Sequence, residues 1–146
     1  KKFEMLNTKV ILGYLGFIPF AAFSIQPLIL VENWLRPSLI SLVIYGAIIL
    51  SFLAGIIWQS SKKKSDLIIA IVFSLLGFAS VFLFTVNIMI PLVVLTICFP
   101  LSYLQEKRIS ESFTDEDYAS LRLNLTTGVT ACFVLSIFSA IGLFTQ

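Results

Sequence analysis

Apolar residues run along this chain in five long blocks, at about residues 10–31, 38–58, 67–86, 88–104 and 122–145. Each is close to the roughly 20 apolar residues that cross the ~30 Å hydrocarbon layer of a bilayer. An open chain in lipid satisfies its own backbone only as a helix. The pattern therefore predicts an all-α fold. It is a single domain over 1–146, an integral membrane bundle of five transmembrane helices. The breakers fall between the blocks. Glu32 to Pro37 separates the first two, and Pro37 suits the first turn of a helix. Ser60 to Asp66 separates the second and third. Only Thr85-Val86-Asn87 and Pro91 mark the third junction, yet residues 67–104 are about twice the length of one span, so a tight re-entry is required. Residues 105–121 form the one sizeable polar loop.

Charge placement gives this pattern a direction. Of the ten basic residues, Lys1, Lys2, Lys9, Lys62, Lys63, Lys64, Lys107, Arg108 and Arg122 fall on one side of a five-span model, and only Arg36 falls on the other. Basic residues mark the cytoplasmic side, so the N-terminus is expected inside and the C-terminus outside. Removing the third junction would put Lys107 and Arg108 opposite Lys62 to Lys64. Trp34, Trp58, Tyr103 and Tyr118 fall at span ends, where amphipathic rings sit at the headgroup level. With Lys62, Lys63, Lys64 and Arg122 they are expected to be interface anchors. A nucleic-acid patch is the weaker reading of the lysine run. The first block is too long for a signal-peptide core and lacks a small-residue cleavage site, so it reads as a retained span with a few residues ahead of Lys1.

Composition agrees: the 146 residues are 58% hydrophobic and 12% charged, with net charge +2 and mean hydropathy +1.01. Soluble domains carry about 25% charged residues. There is no histidine, which removes the commonest metal ligand and general base. Cys98 and Cys132 lie within apolar blocks and read as free, packed thiols, too few for a disulfide framework or a thiolate metal site. No Asp, Glu, Lys or Arg stands in the middle of a span, where proton or ion pathways need them. Tyr14, Ser24, Gln26, Tyr45, Ser51, Asn87, Asn124 and Thr126 are the neutral polar candidates, and structural roles such as back-bonding to their own helix are expected of them. In the polar loop Thr114 reads as a helix cap with acids in the following turn. Glu116 and Asp117 are then a solvated capping face rather than an acid–base pair or cation site.

Helices in lipid associate through close packing, which small residues permit. Four-residue spacing places Ala47, Ser51 and Gly55 along one face of the second span, and Gly128, Cys132, Ser136 and Ala140 along the fifth. Gly13, Gly16 and Ala21 lie on the first, and Ala70, Ser74, Gly77 and Ser80 on the third. These faces are expected to meet other helices, of this chain or of a partner, with a close approach at Gly55.

Three segments, 12-LGYLGFIPF-20, 45-YGAIILSFLAGIIWQ-59 and 121-LRLNLTTGV-129, together resemble the transmembrane protein 69 family, a small multi-pass family of unknown function. Tyr45, Ser51, Phe52, Gly55 and Trp58 carry the resemblance; Gln59 stands where a glycine is expected. The resemblance implies no established activity. Animal members carry an import extension that this chain lacks, which implies a bacterial inner membrane, with the mitochondrial inner membrane as the alternative. The function expected is that of a non-catalytic accessory or assembly subunit of a larger respiratory or otherwise energy-transducing membrane complex. Its partners would be membrane lipids and other integral membrane subunits, with no cofactor, metal, nucleic acid or soluble small-molecule substrate. A small transporter or channel is the alternative. A membrane enzyme acting on lipid or quinone would need polar residues converging at one depth, which the sequence does not display.

Overall fold

The computed structural model describes residues 2–29 and 34–144. They form α1 (Lys2–Ile29), α2 (Leu35–Ser60), α3 (Lys64–Leu83), α4 (Met89–Ile109) and α5 (Glu116–Phe144), with a 3-10 turn at Glu111–Thr114. All five helices are long and apolar enough to cross a membrane. The all-helical multi-pass expectation therefore stands. Lys1, the breaker residue Glu32 and the far ends of the first and fifth expected spans (residues 30–31 and 145) lie outside the described residues.

The third junction is as tight as span length demands. Helix α3 ends at Leu83 and α4 begins at Met89. The Asn87 Oδ1 accepts a 2.9 Å hydrogen bond from the Met89 amide, covering a donor that the start of α4 leaves open. The fourth junction differs from expectation. Most of 105–121 is helix, because Gln105, Glu106, Lys107 and Arg108 are good helix formers that carry α4 beyond its apolar block. Helix α5 begins at Glu116, and its cap is Asp115 rather than Thr114. Asp115 Oδ1 accepts from the Asp117 amide at 3.0 Å, while the Thr114 hydroxyl turns back to the Glu111 carbonyl at 2.8 Å.

Helices α1, α2, α4 and α5 form a ring, and α3 packs outside it against α2 and α4. An aromatic cluster fills the ring. The Phe20 ring lies 5.8 Å from Phe99 and 6.0 Å from Phe133, and Phe99 stacks on Phe133 at 5.6 Å. Tyr45 packs edge-on to Phe20 at 4.8 Å. Its hydroxyl donates to the Gly16 carbonyl at 2.7 Å, which ties α1 to α2. Cys98 and Cys132 are buried free thiols, and Ser136 back-bonds to the Cys132 carbonyl at 2.9 Å.

Small residues set the closest crossings. A Cβ on Gly77 of α3 would stand 3.1 Å from the Ala47 carbonyl and 3.4 Å from the Ser51 Oγ of α2. A Cβ on Gly128 would meet the Phe17 ring at 2.8 Å, and one on Gly13 would meet Leu121 at 3.1 Å, so α1 and α5 approach closely. The close approach expected at Gly55 is absent: a Cβ there meets nothing within 4 Å. At 3.6 residues per turn, each four-residue step overshoots, and Gly55 sits about 80° around α2 from Ala47. The buried stripe instead follows Val43, Ala47, Leu50, Ala54 and Ile57.

Candidate functional site

One end of the bundle carries the start of α1, the α2–α3 loop and the α4–α5 loop, and with them most of the basic residues. The buried face of α4 runs through Leu92, Leu95, Phe99 and Ser102 and reaches Glu106, which is 1% exposed. The buried face of α5 runs through Ala140, Ser136, Phe133, Val129 and Thr126 and reaches Arg122, 6% exposed. These antiparallel faces bring the two charges together. The Arg122 Nε donates to Glu106 Oε2 at 2.6 Å. One turn earlier on α5, the Tyr118 hydroxyl donates to Glu106 Oε1 at 2.7 Å. Both carboxylate oxygens are thus satisfied. The Arg122 Nη2 is not: it is buried with no acceptor. A buried donor without an acceptor costs on the order of 1–3 kcal/mol.

A second carboxylate closes the same end. Asp66, 3% exposed at the start of α3, accepts from Arg108 Nη2 at 2.8 Å and from Gln105 Nε2 at 3.1 Å, both on α4. Arg122 is therefore a buried ion-pair member and not an exposed interface anchor, and Tyr118 is bound into the same network. Ionisable side chains do converge at one depth, contrary to the sequence reading. The other anchors lie at the surface. Trp34 and Trp58 are 54% and 50% exposed, and Lys62, Lys63 and Lys64 are exposed, with Lys62 pairing with exposed Glu111 at 3.2 Å. Tyr103 packs on Phe113 at 5.7 Å. Glu116 and Asp117 are exposed, in keeping with a solvated face.

Beside this network lies a cavity of about 980 Å³, at the upper limit for small-molecule sites. The tilt of α1 creates it. Toward the basic end α1 leans on α5, through Gly13 on Leu121, Phe17 on Gly128, and a 3.1 Å hydrogen bond from Asn124 Nδ2 to the Tyr14 hydroxyl. Toward the opposite end it leans on α2, through Gly16 and Tyr45 and through the Ser38 hydroxyl donating to Gln26 Oε1 at 2.9 Å. The wedge left between α1 and α2 is the cavity. Phe20, Phe99 and Val129 form its floor, and Phe17, Leu53, Ile56 and Leu125 its walls. Its mouth carries Lys9, Gln59, Ser61, Lys62, Ser110, Glu111, Tyr118 and Arg122. From Lys9 to Phe20 along α1 is roughly 16 Å. Leu12 and Phe52 line the α1–α2 side and are 61% and 67% exposed, so that side is not sealed by the chain itself.

Of the small residues expected to matter, Gly13 and Gly16 line this cavity. Ala47, Ser51, Gly55, Cys132 and Ser136 do not. Among the described residues no cluster of three His, Cys, Asp or Glu side chains gathers to hold a metal ion. The cavity is an apolar slot with a polar, basic rim.

A family model described as a protein of unknown function, DUF3429, matches residues 5–138, and the chain belongs to that family. This corrects the resemblance to transmembrane protein 69, since no comparison returns a member of that family. No curated protein and no solved structure matches the chain.

Proposed function

We propose that this DUF3429 protein is a non-catalytic, multi-pass inner-membrane protein that holds one amphiphilic molecule in the wedge between α1 and α2. The observation that carries the reading is the graded cavity. Its floor and walls are Phe, Leu, Ile and Val side chains, and its rim holds lysines, serines, Tyr118 and Arg122. An amphiphile matches such a gradient along its length, tail inward and head at the basic rim. The basic end then faces the cytoplasm, or a matrix, which is supported by the nine-to-one distribution of Lys and Arg. Against a transporter or channel stands the Phe20–Phe99–Phe133 cluster, which fills the ring directly beyond the cavity floor.

The test is native mass spectrometry of the protein released from mild detergent. One retained amphiphile per chain is expected. Ile56→Trp and Gly16→Leu, both on the cavity wall, should displace it while the helical content holds. A wild-type protein that carries nothing would end this reading.

A second reading, an accessory or assembly subunit beside a larger energy-transducing complex, is favoured by the outer face of α2. Ser51, Phe52 and Gly55 are exposed there, and Gly55 is covered by nothing within the chain. Co-purification of the native protein followed by identification of its partners tests it. A Gly55→Leu variant that loses a partner and keeps its fold would support it.

A further inference from the structure

We propose that the first half of α1, as far as Leu15, is a hinged gate, and that the cavity exchanges its occupant, a bilayer lipid, sideways through the slot between α1 and α2. The inference rests on the reading of the cavity as an amphiphile site and adds the source of the amphiphile and its route. Three observations carry it.

The first is how unevenly α1 is held. Among its described side chains, none before Phe20 is buried. From Phe20 onward the helix is anchored. Phe20 and Ser24 are buried, Phe20 sits in the aromatic cluster, and Gln26 Oε1 accepts from the Ser38 hydroxyl of α2 at 2.9 Å. The first half rests on α5 through Gly13 against the Leu121 side chain and through an exposed hydrogen bond from Asn124 Nδ2 to the Tyr14 hydroxyl. Few buried contacts and exposed hydrogen bonds mark a segment that opens at low cost.

The second is the boundary between the two halves. Pro19 stands inside α1. It has no N–H for the Leu15 carbonyl, so the helix lacks one rung there, and prolines are where helices bend. Gly16 lies just before it, and a Cβ on Gly16 would meet only the Tyr45 hydroxyl, at 3.8 Å. That hydroxyl donates to the Gly16 carbonyl at 2.7 Å and pins the boundary to α2. The segment before the pin can swing about it.

The third is where the cavity opens. Leu12, Gly13 and Gly16 of α1 line one side, and Phe52, Leu53 and Ile56 of α2 line the other. Leu12 and Phe52 line the cavity and are nevertheless exposed, so the slot between them opens outward. Both lie within apolar spans, so the slot meets acyl chains rather than water. At the polar mouth Lys62 of the α2–α3 loop pairs with Glu111 of the α4–α5 loop at 3.2 Å. An acyl chain drawn out through that mouth would expose its methylenes to water. One drawn out through the slot passes from an apolar wall to an apolar bilayer, so the slot is the lower barrier.

The experiment loads the full chain in micelles containing phosphatidylethanolamine with deuterated acyl chains and dilutes it into micelles of the unlabelled lipid. Native mass spectrometry follows replacement of the heavy lipid with time. Pro19 does not line the cavity. Pro19→Ala restores the missing N–H and should leave equilibrium occupancy unchanged while slowing exchange about fivefold, as suits one regained hydrogen bond. Leu12→Cys with Phe52→Cys, bridged by bis-thiosulfonate linkers of graded length, should stop exchange, and reduction should restore it. Lys62→Cys with Glu111→Cys, bridged in the same way across the mouth, should exchange at the wild-type rate. Cys98 and Cys132 are buried, and the wild-type chain treated with linker is the control. Exchange that stops under the mouth bridge, or continues under the slot bridge, would overturn the lateral route. A Pro19→Ala variant exchanging at the wild-type rate would overturn the hinge. Either result leaves the amphiphile reading standing. A wild-type chain that retains no lipid would overturn that reading and the gate with it.

Discussion

Glu106 on α4 and Arg122 on α5 stand sixteen positions apart in the chain and 2.6 Å apart in space, with 1% and 8% of their side chains exposed. A buried pair of this kind is a weak source of net stability, because desolvation offsets most of the attraction. Its importance lies in what happens when one partner is lost.

Glu106→Ala leaves an uncompensated buried guanidinium and strands the Tyr118 hydroxyl. It should destabilise the protein by about 3–5 kcal/mol. Glu106→Met with Arg122→Met removes both charges and should recover most of that loss. Chemical unfolding in detergent, followed by helical signal, reads both. A double variant no more stable than the single one would mean that the pair contributes attraction rather than mutual neutralisation.

The crossing of α2 and α3 at Gly77 should tolerate no side chain. A Cβ there stands 3.1 Å from the Ala47 carbonyl, which is backbone and cannot swing aside. Gly77→Leu should cost about 1–3 kcal/mol through overpacking. Gly55→Leu meets open space and should leave the stability of the isolated protein within about 0.5 kcal/mol. Thermal melts of the two variants should separate clearly.

Two other glycines sit under aromatic rings with different freedom to move. A Cβ on Gly46 would stand 2.7 Å from the Phe133 ring, which is held between Phe99 and Phe20. Gly46→Ala should therefore cost about 1–3 kcal/mol. A Cβ on Gly128 would stand 2.8 Å from Phe17, whose ring borders the cavity and can turn into it. Gly128→Ala should cost less than Gly46→Ala and should reduce retention of the bound amphiphile. Comparing melts with ligand occupancy separates the two effects.

The orientation proposed from the basic residues predicts the behaviour of fusions. A reporter active only outside the cytoplasm should be silent when fused after Lys64 and active after Gln146. The reverse pattern would invert the bundle and place the cavity mouth on the outer side.

The number of helices and their membrane character were legible in the chain because both are local properties. Block length against hydrocarbon thickness decides whether a segment spans. The tight α3–α4 turn followed from length alone, and Asn87 serves there as the residue that caps the return. Trp34 and Trp58, expected at span ends, lie near helix ends and are exposed.

The site was only half legible. Tyr118 and Arg122 are four apart on one helix, and Arg122 continues the 122, 126, 129, 133, 136 and 140 stripe. Glu106 likewise continues the 92, 95, 99 and 102 stripe of α4. Extending each stripe past the first charge would have found both buried ends. Ending each span at its first charge instead assigned Glu106 to a loop and Arg122 to the surface.

What the sequence by itself determined is the set of five apolar helices and the side on which the positive charge collects, since these depend on residue type and segment length. Only the tertiary structure decided the rest. Whether Gly55 or Gly77 marks a close crossing depends on how each helix is rotated about its axis. Whether Arg122 is paired depends on α4 and α5 lying antiparallel in one register. The cavity exists because α1 leans on α5 at one end and on α2 at the other. Tilt and rotation are set by the sum of many weak packing contacts between distant segments, which no local pattern encodes.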